Sequence, residues 1–216
     1  VILDDAMKTL PDAFLSGLPA LTSFNVTKNV NGLIWLQNND NTDRLENITV
    51  DKENAVLYAI DGVLYRKNGG VNNLEYVPVA NTDALTKEGD EYVYTVPKDI
   101  VNIRQAAFHR NQNISKIVFN NELQSIGGYV FGTRKLKVLD FTALDHVPTI
   151  SVDVAAFSLS PANGEIWCSE EMVDNFTKDD KWSQVAKAKG WTIRVKPVVS
   201  QSAVPAISDL KSSKSN

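Results

Sequence analysis

The segment Ile103-Arg104-Gln105-Ala106-Ala107-Phe108 recurs as Ile126-Gly127-Gly128-Tyr129-Val130-Phe131 and again as Val152-Asp153-Val154-Ala155-Ala156-Phe157, at offsets of 23 and 26 residues. Each copy is an apolar residue followed five positions later by Phe. A near-constant period of roughly 20 to 30 residues marks an array of stacked repeats, because each unit buries its apolar face only against its neighbours. Phe108, Phe131 and Phe157 are therefore expected to form one buried column.

A second element keeps step with the first. Ile114-x-x-Ile117-x-Phe119 and Leu136-x-x-Leu139-x-Phe141 share the pattern apolar-x-x-apolar-x-apolar. Leu21, Phe24 and Val26 fit it, as do Leu45, Ile48 and Val50, and then Val71, Leu74 and Tyr76. Tyr94 with Val96 and Ile166 with Cys168 fit its last two positions. The middle residues Phe24, Ile48, Leu74, Tyr94, Ile117, Leu139 and Ile166 are separated by 24, 26, 20, 23, 22 and 27 residues, which predicts seven short strands. Side chains alternate across a strand, so the last two apolar positions face one way and the residues between them the other. Stacked copies then pair as a parallel sheet, and the Ile-to-Phe segments fold behind it as turns or short helices.

Between the second and third of these strands, Val56-Leu57-Tyr58-Ala59-Ile60, Asp61-Gly62 and Val63-Leu64-Tyr65 predict a β-hairpin insert over about 55–70, since Asp-Gly suits a tight two-residue turn. Near the other end, Ser169 is placed as N-cap of a helix from Glu170 to Phe176, and Asp179 or Asp180 starts a second helix running to Gly190. Together they predict a C-terminal helical cap over about 169–190. Trp182 and Trp191 are expected to pack this cap against the last repeat, and Trp35 to fill the back of the second. After Pro197 the chain turns Ser- and Lys-rich with few aromatics, so 1–196 reads as a single domain and 197–216 as a linker or flexible tail.

These residues resemble the BspA-type leucine-rich repeats of bacterial surface proteins, in which an Ile-x-x-x-Ala-Phe segment alternates with a Leu-x-x-Ile-x-Ile-Pro strand. The resemblance covers most of residues 7 to 196. Its most specific part is Leu45-Glu46-Asn47-Ile48-Thr49-Val50-Asp51, then Ile60-Asp61-Gly62-Val63-Leu64-Tyr65, then Leu74-Glu75-Tyr76-Val77-Pro78. Ile166-Trp167-Cys168, Met172-Val173-Asp174-Asn175-Phe176, Lys181-Trp182 and Ala186 are similar to that family's terminal strand and helical cap. The chain departs from the pattern in its irregular spacing, in four extra residues near His146 to Ser151, and in Asn163 at a place for an apolar residue. Those departures bear on strand boundaries.

The resemblance implies an α/β leucine-rich-repeat solenoid, right-handed, with a short parallel β-sheet on its concave face. It also implies a protein secreted or tethered to the cell surface, acting as a binding or adhesion module toward a host or bacterial surface protein or a glycan. The alternatives are a structural spacer or an accessory domain of a carbohydrate-active surface protein.

Composition agrees with this class. The 216 residues are 43% hydrophobic, with 26 acidic residues against 22 basic ones and a net charge of −4. Mildly acidic, interspersed charge argues against a nucleic-acid partner, which selects for a basic face. Apolar runs such as Val63 to Tyr65 fall far short of the roughly 20 residues that cross a bilayer, so no transmembrane segment is expected. One cysteine allows no intrachain disulfide. A monomer is expected.

No catalytic motif and no cofactor-binding or metal site is expected either. His109 and His146 read as surface histidines. Cys168 takes the strand slot held by Phe119 and Phe141 and reads as a buried, inert thiol. Asn38-Asn39-Asp40-Asn41-Thr42-Asp43 alternates amides and carboxylates, but Arg44 and Val50 stand where a calcium loop needs Gly and Glu, so it reads as a solvated insertion. Binding is expected on the outward strand positions of the concave sheet. The candidates are Asn47, Thr49, Asn73, Glu75, Lys116, Asp140, Glu165 and Trp167. Trp167 leads them, because an exposed Trp offers a stacking surface and is common in binding hot spots; the competing expectation buries it beneath the cap.

Overall fold

The computed structural model describes residues 3–11, 14–33, 42–151, 157 and 159–197. In chain order the first strands are β1 (Thr9–Leu10), β2 (Ser23–Val26), β3 (Gly32–Leu33), β4 (Asn47–Val50), β5 (Leu57–Ile60), β6 (Val63–Asn68), β7 (Val71–Tyr76) and β8 (Leu85–Glu88). They are followed by β9 (Glu91–Thr95), β10 (Ile100–Ile103), β11 (Ile114–Val118), β12 (Ser125–Ile126), β13 (Val138–Asp140), β14 (Thr149–Ile150) and β15 (Glu165–Cys168). Helices α1 (Val173–Lys178) and α2 (Asp180–Lys189) and strand β16 (Thr192–Val195) complete the order.

The chain is a leucine-rich-repeat solenoid whose central coils carry two strands each, so that two parallel ladders enclose the core. The first ladder runs β9, β11, β13, β15, β16, with β8 added antiparallel at its edge. Tyr94, Ile117, Leu139 and Ile166 lie on one rung, as the repeat register predicts. Phe24 and Ile48 likewise face each other, but β2 and β4 form a separate two-stranded sheet. The second ladder runs β7, β10, β12, β14 and places strands where turns or short helices are expected behind the sheet.

Leu74 is the exception to the predicted rung. It pairs with Ile103, so β7 belongs to the second ladder and not to the row of Tyr94 and Ile117. Leu64 stands opposite Tyr76 and Tyr65 opposite Leu74, which leaves Glu75 as an extra, bulged residue. A bulge breaks the two-residue alternation, so Leu74 and Tyr76 face different cores. A second correction concerns the third repeat, whose rung is occupied by Ile150 opposite Ile126, ahead of Val152. Val152 to Ala156 lie outside the described residues. Of the three repeat phenylalanines, Phe131 and Phe157 pack with tilted rings at 5.1 Å and Phe108 packs edge-on to Tyr94 at 5.2 Å. All three are buried.

The hairpin expected over 55–70 is present as β5 and β6, turned by Asp61 and Gly62 at φ 50° and 79°. It is a wall and not an appendage. Val63 and Tyr65 pack into the core built from Tyr94 onward, whereas Leu57 and Leu64 pack with Phe24, Leu45 and Ile48 on the other side.

At four corners a buried asparagine ties one coil to the coil before it. Asn54 donates through Nδ2 to the carbonyls of Thr27 and Val30, and Asn120 does the same to Pro97 and Ile100. At the other corner Asn81 reaches the carbonyls of Glu46 and Asp61, and Asn111 that of Pro78. Their Oδ1 atoms accept from backbone N–H groups of the following turn, such as Ile114 and Glu122. Turn groups that would be buried unpaired are thereby satisfied.

The cap closes the stack. Asp179 is the N-cap of α2, accepting from the N–H groups of Lys181 and Trp182, and Gly190 ends it in the left-handed region at φ 67°. Ser169 does not cap α1; Met172 holds that place without a side-chain bond, while the Ser169 carbonyl accepts from Met172 and Val173. Trp182 is buried against Phe131, Phe141 and Phe176 and donates to the Pro148 carbonyl. Trp191 lies 4.6 Å from Phe157 and donates to the Pro161 carbonyl. Asn163, the misfit in the repeat, adopts φ 63°, a conformation that Asn tolerates better than any apolar residue. Trp35 lies outside the described residues, as do 198–216 of the expected tail.

Candidate functional site

The eight candidate residues divide among three sheets. Asn47 and Thr49 stand on β4, where the Thr49 hydroxyl donates to Asn25 Oδ1 at 2.8 Å. Asn73 and Glu75 stand on β7, on the second ladder and away from the expected face. Lys116, Asp140, Glu165 and Trp167 come together on β11, β13 and β15 of the first ladder.

Two of the carboxylates are engaged inside the protein. Glu75 is buried and accepts from Arg66 Nε at 2.8 Å and Arg104 Nη1 at 2.9 Å. Asp140 is 1% exposed, with Lys196 Nζ at 2.8 Å and the Thr142 hydroxyl at 2.6 Å. Neither presents an open carboxylate at the surface, contrary to what an outward strand position predicts. The chain supplies the missing counter-charges from loops and neighbouring strands, which alternation within one strand cannot show.

Trp167 is half-buried. Its Nε1 donates to Glu165 Oε2 at 2.5 Å, and Arg194 Nη1 holds the other oxygen of that carboxylate at 3.1 Å. The ammonium groups of Lys116 and Lys196 lie 6.0 and 5.8 Å from the ring, within range of cation–π attraction. Beside the indole is a pocket of about 210 Å³, with Val93, Val138 and Trp167 as its apolar lining. Its rim is a pair of short ion pairs, Lys116 to Glu88 and Lys137 to Glu91, each at 2.6 Å. The Lys137 ammonium, and after it the Ser115 hydroxyl, hold the Glu91 carboxyl below its ordinary range. The result is an apolar hollow inside a ring of neutralised charge.

Glu88, Glu91, Lys137 and Lys196 escaped the sequence reading. Glu88 and Glu91 flank Gly89-Asp90, the two-residue turn of the hairpin β8–β9, and Gly-Asp between short runs is a hairpin signal. Lys137 and Lys196 carried no such mark.

The other reactive side chains are accounted for by packing. Burial, and then the Asp140 charge, push the Cys168 thiol up to about 12. His109 is half-buried with its ring against Gly132, where a Cβ would come within 2.6 Å of Nδ1. His146 bridges coils, its Nδ1 at 2.9 Å from Asp145 and its Nε2 at 2.8 Å from the Leu123 carbonyl. Both therefore sit closer to the frame of the protein than free surface histidines. Asn38 to Asn41 lie outside the described residues. Among the described residues no three His, Cys, Asp or Glu side chains gather as a metal site, and no helix is long and apolar enough to cross a membrane.

Fold and site together define a leucine-rich-repeat solenoid carrying a surface recess on its main sheet. Among solved structures it is similar to a leucine-rich cell surface protein from Faecalibacterium prausnitzii, at 18% identity and a TM-score of 0.56, over 78% of this chain and 47% of that one. It also matches a leucine-rich-repeat protein from Eubacterium ventriosum, at 19% identity and a TM-score of 0.45, over 69% of this chain and 42% of that one. A third match is the pneumococcal vaccine antigen PcpA, at 18% identity and a TM-score of 0.43, over 82% of this chain and 56% of that one. The chain spans about half the length of these structures. No family model matches the sequence, and no curated protein is significantly similar to it.

Proposed function

We propose that residues 1–196 are a monomeric, non-catalytic binding module of a BspA-like extracytoplasmic surface protein, with 197–216 a linker or flexible tail, and that its partner is a protein. The observation that carries this reading is the pocket beside Trp167. An apolar hollow of about 210 Å³ ringed by the ion pairs Lys116–Glu88 and Lys137–Glu91 has the anatomy of a hot spot, in which a buried anchor is sheltered by a polar rim. One apolar side chain of the partner fills it. Charges already paired across the rim add little net attraction, and act by excluding mismatched partners. A sugar ring stacking on Trp167 is disfavoured, because the ammonium groups of Lys116 and Lys196 already lie over the indole.

The test is an array of host extracellular-matrix proteins, bacterial surface proteins and glycans, probed with the purified protein and its Trp167→Ala variant. A protein ligand whose affinity falls at least about tenfold in the variant is expected, the loss typical of a hot-spot aromatic. Binding to glycans alone, or a protein ligand held equally well by the variant, would sink the proposal.

A further inference from the structure

A depression larger than the Trp167 pocket lies on the second ladder. It is a groove of about 550 Å³ that crosses β6, β7, β10, β12 and β14. A row of polar side chains runs along it, because Arg66, Asn73, Asn102, Ser125 and Thr149 occupy successive partners in the pairing of those strands. Neighbouring strands are about 4.8 Å apart, so these groups repeat at that interval.

The row is oriented by its own hydrogen bonds. Ser125 donates to Asn102 Oδ1 at 2.6 Å, and Asn102 donates to Asn73 Oδ1 at 2.9 Å. The chain of donors thus points toward the β6 end, where the guanidinium groups of Arg66 and Arg104 share the carboxylate of Glu75. Lys181 of α2 stands in the wall at the helical-cap side. Three cations against one carboxylate make the lining basic in a chain of net charge −4. Gly127 lets two coils approach closely at the groove: a Cβ there would come within 2.3 Å of the Gln105 backbone nitrogen.

We infer that this groove is a second binding site, for an anionic oligosaccharide. Hydroxyl and carboxamide groups at regular intervals match the hydroxyls of a linear sugar chain, which both donate and accept. Glu75 offsets one of the two guanidinium charges, and the net positive charge left on that triad, together with Lys181, attracts carboxylate or sulfate substituents. An acidic peptide fits less well. The apolar residues of the lining, Ile103, Ile126 and Ile150, are each 2% exposed, so the groove offers no apolar anchor for peptide side chains.

The experiment titrates the whole 216-residue chain by calorimetry with tetragalacturonate, a sulfated heparin-derived tetrasaccharide, neutral maltotetraose and hexaglutamate. Variants Lys181→Ala and Ser125→Leu are run alongside, with Trp167→Ala as a control that leaves the groove intact and thermal unfolding as a check on each fold. The expected result is binding of one or both acidic tetrasaccharides at least tenfold tighter than maltotetraose and hexaglutamate. The carboxylated and sulfated probes show which substituent is read. Lys181→Ala and Ser125→Leu each weaken that binding at least fivefold, and Trp167→Ala leaves it unchanged. Absence of binding by either acidic tetrasaccharide, equal binding of hexaglutamate, or indifference to both groove variants would overturn the inference. None of these outcomes bears on the protein-binding reading of the Trp167 pocket.

Discussion

The hydroxyl of Tyr65 lies 2.9 Å from the hydroxyl of Tyr94, joining the hairpin wall to the first full coil of the main ladder. Tyr94 is 1% exposed and Tyr65 is 3% exposed, and burial is the main reason that both phenols titrate above their ordinary range. Tyr94→Phe leaves the Tyr65 hydroxyl buried and unpaired, which costs about 1–3 kcal/mol. Urea unfolding of the single variants and of the double Tyr65→Phe/Tyr94→Phe variant checks this. The double variant is expected to be more stable than the sum of the single losses, since it leaves no orphaned group.

The corner asparagines carry structural weight out of proportion to their polarity. Asn120 is bonded to Pro97, Ile100 and Glu122, so Asn120→Ala strips the half-buried Pro97 and buried Ile100 carbonyls of a donor and frees a turn N–H. A loss of about 2 kcal/mol or more follows. Its exposed neighbour serves as the control, with Asn121→Ala expected within about 0.5 kcal/mol of the parent. Equal stability of the two variants in chemical denaturation would contradict the role given to the spine.

His146 gives the protein a weak dependence on pH near neutrality. Its hydrogen bond to Asp145, and then that to Leu123, raise its pKa above 6.5 against the opposing effect of burial. A raised pKa means that the folded state holds the proton more tightly, so this contribution is fully present below about pH 6.5 and fades as pH climbs through the folded value. Asp145 is fully exposed, so solvent screens the pair and the change is small. Melting temperatures between pH 5.5 and 8.5 are expected to fall slightly in the parent and to lose that component in His146→Gln.

Cys168 is expected to resist alkylation. With its thiol pushed up to about 12 by burial, iodoacetamide at pH 8 modifies it only after unfolding. Mass spectrometry with and without denaturant reads the difference; rapid labelling of the native protein would show that β15 opens far more readily than its burial implies.

The rungs Phe24–Ile48 and Tyr94–Ile117–Leu139–Ile166 were legible because an unbroken apolar period survives in them. Leu74 was misplaced because an apolar pattern does not say which of two ladders a strand joins, and the Glu75 bulge that splits Leu74 and Tyr76 between two cores leaves no trace in it. The second ladder hid in segments such as Ser125–Ile126 and Thr149–Ile150, two residues long and too short to show any period. Asn54, Asn81, Asn111 and Asn120 look like ordinary loop polarity until their bonds to the preceding coil are seen. The Trp167 candidate rested on one strand, while the lysines that frame it come from β11 and from the segment after β16.

The hairpin wall has a mechanical consequence. Because Leu64 presses on one core and its neighbours Val63 and Tyr65 on the other, a fault in one compartment meets a hydrogen-bonded partition before it reaches the next. Hydrogen exchange should resolve this as two separate protection classes, one for the amides of β2 and β4 and one for those of β11, β13 and β15. The solenoid is in that sense bulkheaded, and damage to its amino-terminal coils leaves the recess beside Trp167 watertight.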